Sequence, residues 1–144
     1  MRQDKEITVK EIMMSAPVTL GPADTLDLAN DIIYLGRVRH IPIVDGGKLV
    51  GVISQRDLFG TAATAILGLK SRPKKALLKS FQIKDLMRTL VITIPPDAAV
   101  KDAARLMADK KVGCLPVVDN GSLVGLITAT DILRYVATGE SEER

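Results

Sequence analysis

A chain of 144 residues with 47% apolar content is long enough to bury a core without disulfides or metals, and its single cysteine, Cys114, excludes an intramolecular disulfide. Aromatics make up 3% and tryptophan is absent, which argues against the stacking platforms of single-strand nucleic-acid binders. The formal charge of +3 is local: residues 60–82 carry Lys70, Arg72, Lys74, Lys75 and Lys79 and no acid, and removing those five charges leaves −2.

In chain order, the head "MRQDKEITVKEI" lacks the apolar core of a signal peptide. No apolar run approaches the roughly 20 residues that span a bilayer, so a soluble protein of the reducing cytoplasm is expected. "PVTL" (17–20) is a short β-branched run stopped by Pro22, which suits a brief strand. Leu26, Ala29 and Ile33 then recur at helical spacing. "HIPIVDGGKLVGVIS" holds two apolar runs around Asp45-Gly46-Gly47, residues that accept positive φ, and predicts a hairpin. A second helix is expected from near Ser54.

The connector "GTAATAILGLKSRPKKALLKSFQ" has helical character over 62–69, breaks before Pro73, and predicts a further short helix from Lys74 to Phe81. Its basic charge suits either a solvated crossover or a surface for an acidic partner. Without interleaved aromatics or a recognition-helix motif, nucleic acid ranks low as a partner.

The same elements then return. Shifting the chain by 74 positions aligns 9–58 with 83–132 without a gap, and 15 of the 50 positions are identical, among them Met13/Met87, Pro22/Pro96, Pro42/Pro116, Gly51/Gly125 and Asp57/Asp131. "VITI" (91–94) repeats the brief strand, Val100, Ala103 and Met107 the helix face, and "CLPVVDNGSLVGLIT" the hairpin. The last helix starts near Thr128 and stops at Gly139, where glycine can take the left-handed cap. The predicted class is α+β: two tandem β-α-β-β-α repeats (about 9–59 and 83–138) forming one pseudo-symmetric domain, with a connector over 60–82 and an acidic tail over 139–144.

The gapless repeat, with "HIPIVDGGKLVGVISQRD" and "CLPVVDNGSLVGLITATD", resembles the cystathionine β-synthase (CBS) domain, and the chain looks like one CBS pair, or Bateman module, over about 9–138. The resemblance implies clefts between the repeats that bind adenosine-containing molecules such as AMP, ADP, ATP, S-adenosylmethionine or NAD, in a sensor that signals to a partner protein. It also implies a homodimer. Some members serve as ligand-free dimerisation or scaffold elements, and that reading stays open.

Ser54-x-x-Asp57 and Thr128-x-x-Asp131 have a structural explanation as helix caps. The resemblance adds that Asp57 and Asp131 hold the ribose diol, with Ser54 and Thr128 near ribose or phosphate and a helix N-terminus offering N–H groups. For phosphate, Arg39, His40 and Arg56 are the candidates in the first copy. The matching "KVGC" of the second copy is poorer in cations, so a second site there would suit an uncharged adenosine moiety or stay empty. The adenine pocket maps to Val18, Thr19, Leu20 and Ile41, and to Ile92, Thr93, Ile94 and Leu115, each of which also suits a core. Met13, Met14 and Met87 are gap fillers or pocket lining.

One histidine, one cysteine and no glycine-rich phosphate loop supply no nucleophile–base pair and no metal cluster. No enzyme activity, no catalytic cofactor and no metal are expected.

Overall fold

The computed structural model describes residues 6–36, 38–59 and 75–139. Arg37, the helical run expected over 62–69 and the tail 140–144 lie outside them. The elements are α1 (Val9–Ile12), β1 (Met14–Ser15), α2 (Leu26–Gly36), β2 (His40–Asp45), β3 (Lys48–Ser54), α3 (Gln55–Phe59), α4 (Lys75–Leu78), a single 3-10 turn at Ile83–Asp85, α5 (Val100–Lys110), β4 (Cys114–Asp119), β5 (Ser122–Thr128) and α6 (Ala129–Thr138). The mixture of helix and strand is the α+β class that the repeat implies.

Two compact units form, and their boundaries cross those of the sequence copies. One takes residues 18–91 of the chain, the other takes everything up to Pro17 together with everything from Ile92 onward. The first nine residues of each aligned copy therefore pack with the other copy's hairpin.

In the 18–91 unit, β2 and β3 pair antiparallel from His40↔Ser54 to Asp45↔Lys48, with a bulge between Ile43 and Val44. Gly46 and Gly47 both take positive φ, +57° and +83°, the tight turn that matches the twist of a hairpin. In the other unit β4 and β5 repeat this pairing from Cys114↔Thr128 to Asp119↔Ser122, with the bulge at Val117/Val118 and with Asn120 and Gly121 at φ +50° and +82°.

The brief strands expected at 17–20 and 91–94 shrink to one rung each: Leu20 bridges Ile43 and Ile94 bridges Val117, both parallel. Prolines explain this. Leu20 donates to the Pro42 carbonyl and accepts from Val44 N–H, and Ile94 does the same with Pro116 and Val118. The preceding rung would need an N–H from Pro42 or Pro116, and the following rung one from Pro22 or Pro96; none has it.

The opposite edge of each hairpin is covered by the exchanged segment. Met14 and Ser15 pair with Leu126 and Gly125, and Arg88 exchanges two backbone bonds with Val52, of 2.9 and 3.0 Å. The core of the 18–91 unit gathers Leu26, Ala29 and Ile33 from α2, Ile41, Ile43 and Ile53 from the hairpin, Leu58 from α3 and Leu78 from α4. Its counterpart gathers Val9, Ile12, Val100, Ala103, Met107, Leu115, Val117 and Ile127. Fully burying each large aliphatic side chain contributes about 1.5–3 kcal/mol.

Candidate functional site

Each hairpin ends on a hydroxyl residue that is also the cap of a helix. Ser54 N–H donates to Asp57 Oδ2 at 2.8 Å, and Asp57 N–H donates back to Ser54 Oγ at 3.1 Å. Thr128 and Asp131 repeat the pair at 2.9 and 3.2 Å, and the Thr128 hydroxyl also donates to Asp131 Oδ2 at 3.0 Å. Both aspartates are buried. The reciprocal capping read from the sequence thus forms at both corners.

That geometry spends donors which the resemblance reserved for phosphate. Gln55 N–H goes to the Arg39 carbonyl and Ala129 N–H to the Gly113 carbonyl, at 2.8 and 3.0 Å, while Asp57 N–H and Asp131 N–H go to the capping hydroxyls. Two of the first N–H groups of each helix are engaged inside the protein. Fewer helix N–H groups are therefore left for an anion than a bare helix N-terminus offers.

The 18–91 unit carries Arg39, His40, Arg56 and Arg88 at this corner. His40 faces Ser54 across the ladder, with Arg39 immediately before it. Arg39 and Arg56 are exposed and His40 is half-buried. Arg88, which the motif reading passed over, donates from Nε to Asp57 Oδ1 at 2.9 Å. Its side chain is 58% exposed and that of Asp57 is 7% exposed, so one partner is held in the wall while the other faces solvent. A signal for Arg88 did exist: the 74-residue offset sets it against Met14, next to the identical pair Met13/Met87.

Burial pulls the His40 pKa below its ordinary 6.5; the Asp57 carboxylate opposes this, and the charges of Arg39, Arg88 and Arg56 deepen it. The shift favours the neutral form of the histidine, and three guanidinium groups and one carboxylate bear on its charge. In the other unit Gly113, Cys114, Thr130 and Met14 stand at the positions of Arg39, His40, Arg56 and Arg88. Fold and caps are shared by the two corners; charge is not.

The adenine candidates divide by burial. Val18 and Thr19 are exposed, as is Thr93; Leu20 and Ile92 are half-buried against their cores. Ile41 and Leu115 are fully buried and Ile94 nearly so. What Ile41 and Leu115 can present to a ligand is backbone. Met13 and Met87 pack against their cores beside Gly125 and Gly51. No group of three or more His, Cys, Asp or Glu side chains suited to a metal occurs among the described residues, and no helix there is long and apolar enough to cross a membrane.

Comparison with known proteins agrees with this architecture. The CBS domain family matches residues 9–63 and again 83–138. A CBS domain-containing protein of Dictyostelium discoideum is 31% identical over 130 residues, covering 89% of this chain and 90% of its own. Among solved structures, the CBS domain pair of protein MJ0100 in complex with 5′-methylthioadenosine and S-adenosyl-L-methionine superposes with a TM-score of 0.78 at 28% identity, covering 94% of this chain and all of that one. CBSX2 in complex with AMP gives 0.75 at 25% identity, covering 90% and 96%. With the motif present twice and both copies matched, the chain belongs to the CBS domain family and forms a CBS pair, a regulatory module.

Proposed function

We propose that the corner built around Asp57 binds the ribose and phosphate of an adenosine nucleotide, and that occupancy is relayed to a partner protein by a change in shape or in dimer geometry. The observation that carries this reading is the buried Asp57 carboxylate, bonded by the solvent-facing Arg88, at a corner whose hairpin and helix also carry Arg39, His40 and Arg56. Each Asp57 oxygen accepts one hydrogen bond among the described residues, from Ser54 N–H or from Arg88 Nε, and a carboxylate oxygen can accept a second, from a ribose hydroxyl. Among the described residues the Ser54 hydroxyl makes no bond as a donor, so it is available to a phosphate oxygen. Val18, Thr19 and Leu20 with the backbone of Ile41 would flank the base.

Asp131 and Thr128 offer the same ribose chemistry in the other unit, with Ile92, Thr93, Ile94 and Leu115 beside them and no cation in the matching positions. This corner suits an uncharged adenosine moiety. The adenosine ligands named in the complexes of MJ0100 and CBSX2 support the ligand class.

A ligand-free dimerisation or scaffold module is the second reading, favoured by the reciprocal capping bonds, which give both aspartates a structural role without a ligand. Thermal melting with AMP, ADP, ATP, S-adenosylmethionine and NAD separates the two. A ligand that prefers the folded state raises the melting temperature; a transition unmoved by all five compounds would leave the scaffold.

A further inference from the structure

We infer that Arg88 determines the charge of the ligand accepted in the 18–91 unit, selecting a phosphate-bearing nucleotide over uncharged or sulfonium-bearing adenosine compounds; this rests on the nucleotide reading above. The inference starts from how firmly the arginine is held. Its backbone is tied to Val52 by two hydrogen bonds, and its carbonyl oxygen lies where a β-carbon on Gly51 would approach to 2.8 Å. At the other end, Nε is fixed on Asp57 Oδ1 at 2.9 Å.

The rest of the guanidinium is uncommitted. Among the described residues its two terminal nitrogens have no hydrogen-bond partner, and the side chain is 58% exposed. A guanidinium held by Nε with its outer edge toward solvent is a planar pair of N–H donors suited to bidentate capture of a phosphate. Arg39 and Arg56 are exposed and make no side-chain hydrogen bond among the described residues, so ordering either costs more rotamer entropy than engaging a residue already in place.

Charge placement leads to the same residue. A phosphate brought near the ribose would meet the Asp57 carboxylate, and like charges at that range repel. Arg88 pairs with that carboxylate and still presents N–H groups outward, so it screens the acid and attracts the phosphate together. A sulfonium would meet Arg88, Arg39 and Arg56 instead. In the other unit the position belongs to Met14, whose backbone pairs with Leu126 as that of Arg88 pairs with Val52. The same backbone site carries a cation in one unit and a thioether in the other.

Isothermal titration of AMP and of adenosine into wild type, Arg88→Gln and Arg88→Lys tests this, with circular dichroism to verify folding. Losing a bidentate charged contact should weaken AMP about ten- to hundredfold in Arg88→Gln, while adenosine stays within about twofold. Arg88→Lys keeps the charge without the fork and should weaken AMP about three- to tenfold with adenosine unchanged; it serves as the deciding variant where Arg88→Gln does not fold. Unchanged AMP affinity, or equal losses for AMP and adenosine, overturns the inference and leaves the nucleotide reading standing. Wild type binding neither compound overturns that reading and the inference with it.

Discussion

Gly51 lies so close to Met87 that a β-carbon on the glycine would stand 2.7 Å from the methionine sulfur, and 2.8 Å from the Arg88 carbonyl oxygen. Gly125 meets Met13 and the Met14 carbonyl in the same way. The glycine repeated in both copies thus marks where the exchanged segment crosses its hairpin. The thioether could yield; the Arg88 carbonyl is fixed by the bond it accepts from Val52. Gly51→Ala and Gly125→Ala should each cost about 1–3 kcal/mol in urea unfolding. Gly36→Ala, with open space around it at a helix end, should be neutral or stabilise by up to about 1 kcal/mol. Equal stability of all three variants would contradict the crossing.

The caps differ in a measurable way. Among the described residues the Ser54 hydroxyl only accepts, from Asp57 N–H, whereas the Thr128 hydroxyl both accepts from Asp131 N–H and donates to its carboxylate. Ser54→Ala should cost about 1 kcal/mol. Thr128→Ala should cost about 1–2 kcal/mol because it also removes a donor from a buried carboxylate, and Thr128→Ser should restore most of this. Chemical denaturation of the three variants gives the order, and a Ser54 cost above that of Thr128 would contradict it.

His40 gives the module a pH dependence of known sign. Its pKa in the folded chain lies below 6.5, chiefly through burial, so the unfolded chain takes up the proton first. The stability due to neutral His40 is complete above about pH 6.5 and is lost as pH falls from there through the folded pKa. Urea midpoints of wild type should therefore drop, as pH falls below about 6.5, more steeply than those of His40→Gln. Parallel profiles would refute it. As the only histidine in the sequence, His40 also gives a single imidazole NMR titration, and a bound phosphate should move its midpoint upward.

Much of this is legible in the sequence. The offset of 74 residues announced two units; Asp45-Gly46-Gly47 and Asp119-Asn120-Gly121 announced the turns, and Ser54/Asp57 and Thr128/Asp131 the caps, because each depends on residues a few places apart. The exchange of 9–17 and 83–91 was not legible. When both copies carry the same contact residues, such as Met13 and Met87 facing Gly125 and Gly51, either pairing satisfies the pattern. The single-rung strands were encoded in Pro42 and Pro22, but only once Leu20 was seen to use the carbonyl of Pro42 and the N–H of Val44. Arg88 escaped for a related reason: it is 31 residues from Asp57, and no local motif links them.

The central claim, that an adenosine nucleotide binds at the Asp57 corner, is tested most directly by isothermal titration of AMP into wild type, Asp57→Asn and Asp131→Asn. Saturable binding to wild type at or below about 1 mM is expected, weakened at least about tenfold by Asp57→Asn and less than about threefold by Asp131→Asn. Absence of binding by wild type up to that concentration, or AMP affinity unchanged in Asp57→Asn, would contradict the account.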